Sequence, residues 1–170
     1  MEATSGGPRT CRGTADTFTV MTQSLNTSAP LLIVPLCVSV SISVHCSRPC
    51  LKRQLIDLLA EGYDPEHLDI VQPGVNVEDW YCGRTDCGCI YKLTVSLLDE
   101  GQEIITEFKP DEVTLDPDCD DCSWRKVSHT FTDYGPGLRF ISFEHGGQDT
   151  KYWQGWFGVR VTGSSVTVDL

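Results

Sequence analysis

Basic residues are scarce in this chain. Thirteen Lys and Arg stand against 24 Asp and Glu in 170 residues, a formal net charge of −11. Nucleic acid, whose phosphates demand stripes of Lys and Arg, is thereby excluded as the expected partner, and an anionic lipid surface is repelled in the same way. The deficit is uneven, because Glu2 and Asp16 are the only acids before Leu51. Long apolar runs are lacking too. The run Leu31–Val44 carries Pro35 and three interrupting serines, and falls short of the ~20 residues a membrane helix needs. No basic stretch precedes it in the manner of a secretory signal, so neither export nor membrane insertion is expected. Catalytic signatures are missing as well. His45, His67, His129 and His145 are scattered, with no HExxH pattern and no triad signature; His129 in a strand and His145 at a strand end read as ordinary polar positions, and Gly146-Gly147 lacks the Lys and Ser/Thr of a phosphate loop. The residues therefore predict a binding protein rather than an enzyme, with no cofactor.

The nine cysteines are an odd number, so they cannot all pair, and they follow no repeating pattern. A reducing compartment is the expectation. Cys119-Asp120-Asp121-Cys122 and Cys87-Gly88-Cys89 invite a zinc reading, but a knuckle normally supplies two CxxC halves. Exposed loop cysteines without a metal are the simpler expectation.

Along the chain, residues 1–49 read as a low-complexity, disordered or non-homologous segment, although Val38–Val44 alternates like a strand. Residues 50–170 carry the orderly pattern. Leu51–Leu59 is ambiguous between helix and strand. Asp64-Pro65-Glu66 is a helix start, with Asp64 as N-cap and Pro65 in the first turn. Short strands are predicted over 75–81, 89–97, 103–108, 124–131 and 138–144. A last pair is expected at 156–161 and 166–168, turning at Gly163-Ser164. Such spacing indicates a mainly β antiparallel sandwich or jelly roll with one or two short helices.

The richest stretch is Phe143–Gly158, where glycines free the backbone and aromatic faces stand beside polar groups. It suits a loop that stacks a sugar ring on Tyr152 or Trp153 while Gln154 hydrogen-bonds the hydroxyls. Asp86, on another loop, is a candidate acceptor for the same hydroxyls. It equally suits a Gly-rich turn whose aromatics fill the core.

Several ordered strings from about Cys50 onward carry a resemblance. They are Ile56-Asp57-Leu58 with Ala60-Glu61-Gly62-Tyr63, Asp79-Trp80-Tyr81, Asp86-Cys87-Gly88-Cys89, and Ser128-His129-Thr130-Phe131 with Asp133-Tyr134. Phe143-Glu144-His145-Gly146-Gly147 with Asp149 follows, then Tyr152–Trp156, Arg160-Val161-Thr162 and Ser164-Ser165. Together they resemble the F-box-associated domain of the sugar-recognising F-box proteins. That resemblance implies an antiparallel sandwich that binds the chitobiose core of high-mannose N-glycans on misfolded glycoproteins bound for degradation. It implies a cytoplasmic location near the endoplasmic reticulum, and Skp1 and cullin partners for full-length members. By the same resemblance Asp86, Tyr152 and Trp153 are glycan contacts. Gln154 replaces a family Lys, and Trp156 and Phe157 belong to the core. No F-box is visible before Cys50, so the chain reads as a truncated or alternative form, incomplete at its N-terminal side. The alternative expectation is a protein-interaction or decoy fragment that cannot recruit the ligase.

Overall fold

The computed structural model describes residues 32–36, 49–119, 121–151 and 158–169. Its elements in chain order are β1 (Leu32–Leu36), β2 (Cys50–Asp57), α1 (Pro65–Ile70), β3 (Val75–Cys82), β4 (Cys89–Leu98) and β5 (Ile104–Phe108). They continue with β6 (Val113–Leu115), β7 (Arg125–Phe131), β8 (Phe140–Asp149) and β9 (Arg160–Val168). One antiparallel sheet runs β1-β9-β3-β7; the other runs β2-β8-β4-β5, with β6 pairing the start of β4. The expected antiparallel β architecture is present.

Alternation explains most of it. Cys89, Tyr91, Leu93, Val95 and Leu97 of β4 are buried, as are Val75, Val77 and Tyr81 of β3. The two rows meet directly, since Tyr81 stacks on Tyr91 with ring centroids 4.0 Å apart and planes 9° from parallel. At the sandwich edge Phe108 of β5 stacks on His129 of β7 at 4.1 Å, and Phe131 meets the same imidazole edge-on at 4.6 Å. His129, read from sequence as an ordinary polar position, is thus an aromatic bridge between the sheets. The helix begins as predicted: Asp64 accepts from the His67 amide at 3.0 Å and Pro65 opens the first turn.

Three expectations change. Segment 51–59, ambiguous in sequence, is the strand β2 as far as Asp57, because it pairs with β8 over its full length. Strand β8 extends to Asp149, so Phe143–Asp149 is neither loop nor turn. Gly146 and Gly147 sit inside the sheet, where an added Cβ would collide with the carbonyl oxygens of Cys50 on β2 and Ile90 on β4. Third, the predicted turn at Gly163-Ser164 is a β-bulge within the single strand β9. Glu78 pairs with Ser165 and Trp80 with Thr162, so Asp79 faces two residues. Gly163 takes the left-handed φ of 59° that the bulge requires. The extra residue resets the alternation, which lets Val161 on one side and Val166 and Val168 on the other all point inward.

Strand β1 lies within the segment 1–49 and pairs with β9 from Leu32↔Val168 to Leu36↔Ser164. The Val38–Val44 alternation falls outside the described residues. Among the described residues no helix is long and apolar enough to cross a membrane.

Candidate functional site

Asp86 lies on the loop from β3 to β4. Its carboxylate receives Arg84 through a two-point fork, Nε to Oδ1 at 2.7 Å and Nη2 to Oδ2 at 2.7 Å. That hydrogen-bonded guanidinium holds the Asp86 carboxyl below its usual range. Its side chain remains 49% exposed, so the anion is presented to solvent in a set orientation, with lone pairs left for further donors. Neither Arg84 nor the fork was foreseen; an Arg two residues before an Asp in a tight loop is the signal that was available. The loop itself is pinned by Arg160, whose Nη2 donates to the Gly83 carbonyl at 2.9 Å.

A cleft of about 500 Å³ opens beside Asp86. One wall is Thr85–Gly88, a second is Thr114–Asp118 from the end of β6 into the loop that follows it, and the third is Thr150-Lys151 beyond β8. Gly88 explains how the walls come together. The Thr150 amide donates to its carbonyl at 2.9 Å, and a Cβ on Gly88 would stand 2.7 Å from Thr150 Oγ1. The motif Asp86-Cys87-Gly88-Cys89 therefore joins an acceptor to the glycine that admits the neighbouring loop. Asp149 Oδ1 takes the Lys151 amide at 2.9 Å and starts that loop as the chain leaves β8. Tyr152, Trp153 and Gln154, the other predicted contacts, lie outside the described residues, as do Trp156 and Phe157. The chain enters them from the cleft wall at Lys151.

A second polar cluster is buried between the sheets. Asp79 has no exposed surface. Its Oδ1 accepts from Ser164 Oγ at 2.6 Å, and its Oδ2 accepts from Tyr91 Oη at 2.6 Å and His145 Nδ1 at 2.8 Å. Asp79 and Ser164 belong to the sheet of β3 and β9, Tyr91 and His145 to that of β4 and β8. This is no nucleophilic triad. The serine hydroxyl spends its proton on the carboxylate, and it approaches the same imidazole nitrogen, at 3.4 Å, that already faces Asp79. His145, expected to be an ordinary position at a strand end, is instead one corner of the polar bolt joining the sheets.

A family model described as the F-box associated region matches residues 15–168. The chain belongs to the F-box-associated family. Its match starts upstream of the Cys50 boundary expected from sequence. Bovine F-box only protein 2 is 59% identical over 120 residues, which is 71% of this chain and 40% of that protein. Human F-box only protein 44 is 50% identical over 119 residues, 70% of this chain and 46% of that one. Human F-box only protein 27 is 44% identical over 121 residues, 70% and 42% of the two chains. The chain thus spans less than half the length of these relatives. A solved structure of infectious bursal disease virus shares the fold alone, with a TM-score of 0.55 at 9% identity over 82% of this chain and 33% of that one.

Proposed function

We propose that this chain is a glycan-recognising substrate-binding module without catalytic activity, which holds the chitobiose core of high-mannose N-glycans on misfolded glycoproteins. The observation that carries the reading is the cleft shared by Asp86 and Lys151. A pre-oriented, ionised acceptor faces the point where the chain passes into Tyr152-Trp153-Gln154. In this reading Asp86 accepts hydroxyl or acetamido N–H hydrogen bonds. Tyr152 and Trp153 stack on the apolar C–H face of the sugar, and Gln154 offers a neutral donor and acceptor in place of a cation. Skp1 and cullin belong to full-length relatives of the ligase-adaptor type, and the working compartment is the cytoplasm next to the endoplasmic reticulum.

Calorimetric titration of the chain with chitobiose tests this. Trp153→Ala and Asp86→Asn are each expected to weaken binding about tenfold or more, as the loss of a stacked ring or a charge-assisted hydrogen bond does. If the unaltered chain does not bind, or binds no better than Trp153→Ala, the sugar reading is wrong. A second reading, a protein-binding or decoy fragment, draws on β2, an edge strand among the described residues that exposes Leu51 at 40% and Leu55 at 42%. Binding of deglycosylated client protein as tight as that of glycosylated client would favour it.

A further inference from the structure

The CxxC pair Cys119 and Cys122 is not among the residues lining the cleft, yet Cys122 touches the loop that carries Asp86. Cys122 Sγ donates to the Arg84 carbonyl at 3.2 Å and lies 3.8 Å from where a Cβ on Gly83 would stand. It does so from a left-handed backbone, φ 54°, which a residue with a Cβ rarely adopts. Two outside contacts thus hold consecutive carbonyls of the loop: Arg160 on Gly83 and Cys122 on Arg84. Cys119 sits at the exposed end of the Cys122 loop, its amide tied to the Asp116 carbonyl at 3.0 Å. The other thiols nearby, Cys82, Cys87 and Cys89, are buried, so the expectation of exposed loop cysteines fails for Cys87 and Cys89, the latter being the first residue of β4. Burial pushes all three up, Cys89 to about 12, so they stay protonated and unreactive.

We propose that Cys119 and Cys122 form a thiol–disulfide switch, closed by a small neutral hydroperoxide, that unclamps the loop presenting Asp86. The Cys119 thiolate attacks one oxygen of hydrogen peroxide; the O–O bond breaks, and the leaving hydroxide takes a proton to become water. Cys119 is now a sulfenic acid. The Cys122 thiolate attacks its sulfur, the S–O bond breaks, and a second hydroxide leaves and is protonated. In sum two thiols and one peroxide become one disulfide and two waters. The sulfurs are oxidised and the peroxide is reduced. Asp116, Asp118 and Asp121 surround the pair in sequence and disfavour an anionic oxidant such as glutathione disulfide. A disulfide sulfur carries no hydrogen, so it cannot donate to the Arg84 carbonyl wherever it moves.

The effect on sugar binding rests on the glycan reading above; the switch itself does not. The full chain is treated with hydrogen peroxide, mapped for cysteine linkage, and followed by hydrogen exchange at the amides of residues 83–88. The expected result is a Cys119–Cys122 linkage with exchange in this loop about fivefold faster, the scale set by one lost hydrogen bond. Dithiothreitol reverses it. Cys119→Ser shows neither change, and Cys122→Ser, which keeps an O–H donor, holds slow exchange before and after peroxide. Peroxide that links neither cysteine to the other, or a linkage that leaves loop exchange unchanged, overturns the proposal. If exchange responds as expected while the reduced chain fails to bind chitobiose, the switch stands and the glycan reading fails.

Discussion

Replacing Asp79 by alanine removes the acceptor on which three side chains from both sheets converge. Tyr91 Oη, Ser164 Oγ and His145 Nδ1 would be left in a closed interior, where each stranded donor costs about 1–3 kcal/mol. The costs do not simply add, because the cavity relaxes and admits water. A total of about 4 kcal/mol is expected, toward the low end of three such costs taken together. Against a domain stability of about 5–15 kcal/mol, that is a large share. Urea unfolding followed by tryptophan fluorescence reads it directly. With a slope of about 2 kcal/mol per molar, the midpoint falls by about 2 M at unchanged slope. Asp79→Asn preserves shape but turns an N–H₂ toward groups that are themselves donors, so it falls between wild type and alanine. A cycle with Ser164→Ala should return a coupling of about 1 kcal/mol or more. A loss below about 1 kcal/mol for Asp79→Ala would refute the reasoning and leave apolar packing, led by the Tyr81–Tyr91 stack, as what joins the sheets.

Three more outcomes are expected. Gly146→Ala and Gly147→Ala force a methyl into the Cys50 and Ile90 carbonyls and should each destabilise by about 3 kcal/mol or more, read as soluble yield and urea midpoint. Asp69 accepts from Arg139 at both oxygens and from the Gly137 amide, which lowers its carboxyl from 3.8 to about 2. A folded pKa below the unfolded one contributes stability above about pH 4 that is lost as pH falls toward 2. The side chain is about one-third exposed, so screening leaves about 1 kcal/mol; Asp69→Asn should lose that at pH 7 and show a flatter urea-midpoint profile between pH 4 and 2. Tyr134→Phe removes the 2.7 Å hydrogen bond to the Pro73 carbonyl and should cost about 1 kcal/mol in the same assay, without altering chitobiose binding.

Much of the fold was legible because its strands are half-buried and alternate. Strand β4 could be read from Cys89, Tyr91, Leu93, Val95 and Leu97, and the helix start from Asp64-Pro65. Reading failed where a local rule served a distant constraint. Gly163-Ser164 looks like a turn because alternation breaks there, yet the break is a bulge whose purpose is to bring Asp79 and Ser164 into one buried cluster. Gly146-Gly147 looks like a loop because glycine usually marks one, yet the pair is small because two neighbouring backbones press against it. Of the predicted site residues, Asp86 is found on a cleft, with its Arg84 fork unforeseen; the segment 152–154 is reached only as far as Lys151.

The amino-acid sequence by itself determined the acidity, the antiparallel β class, the helix cap and, through its ordered strings, the family. These depend on residue type and short-range order. Only the tertiary structure decided which residues meet across the two sheets. Tyr91, His145 and Ser164 are separated by between 12 and 85 positions from Asp79, whose carboxylate they share. The cleft likewise joins loops after β3, β6 and β8. Such meetings are set by strand order and register, which no local pattern encodes.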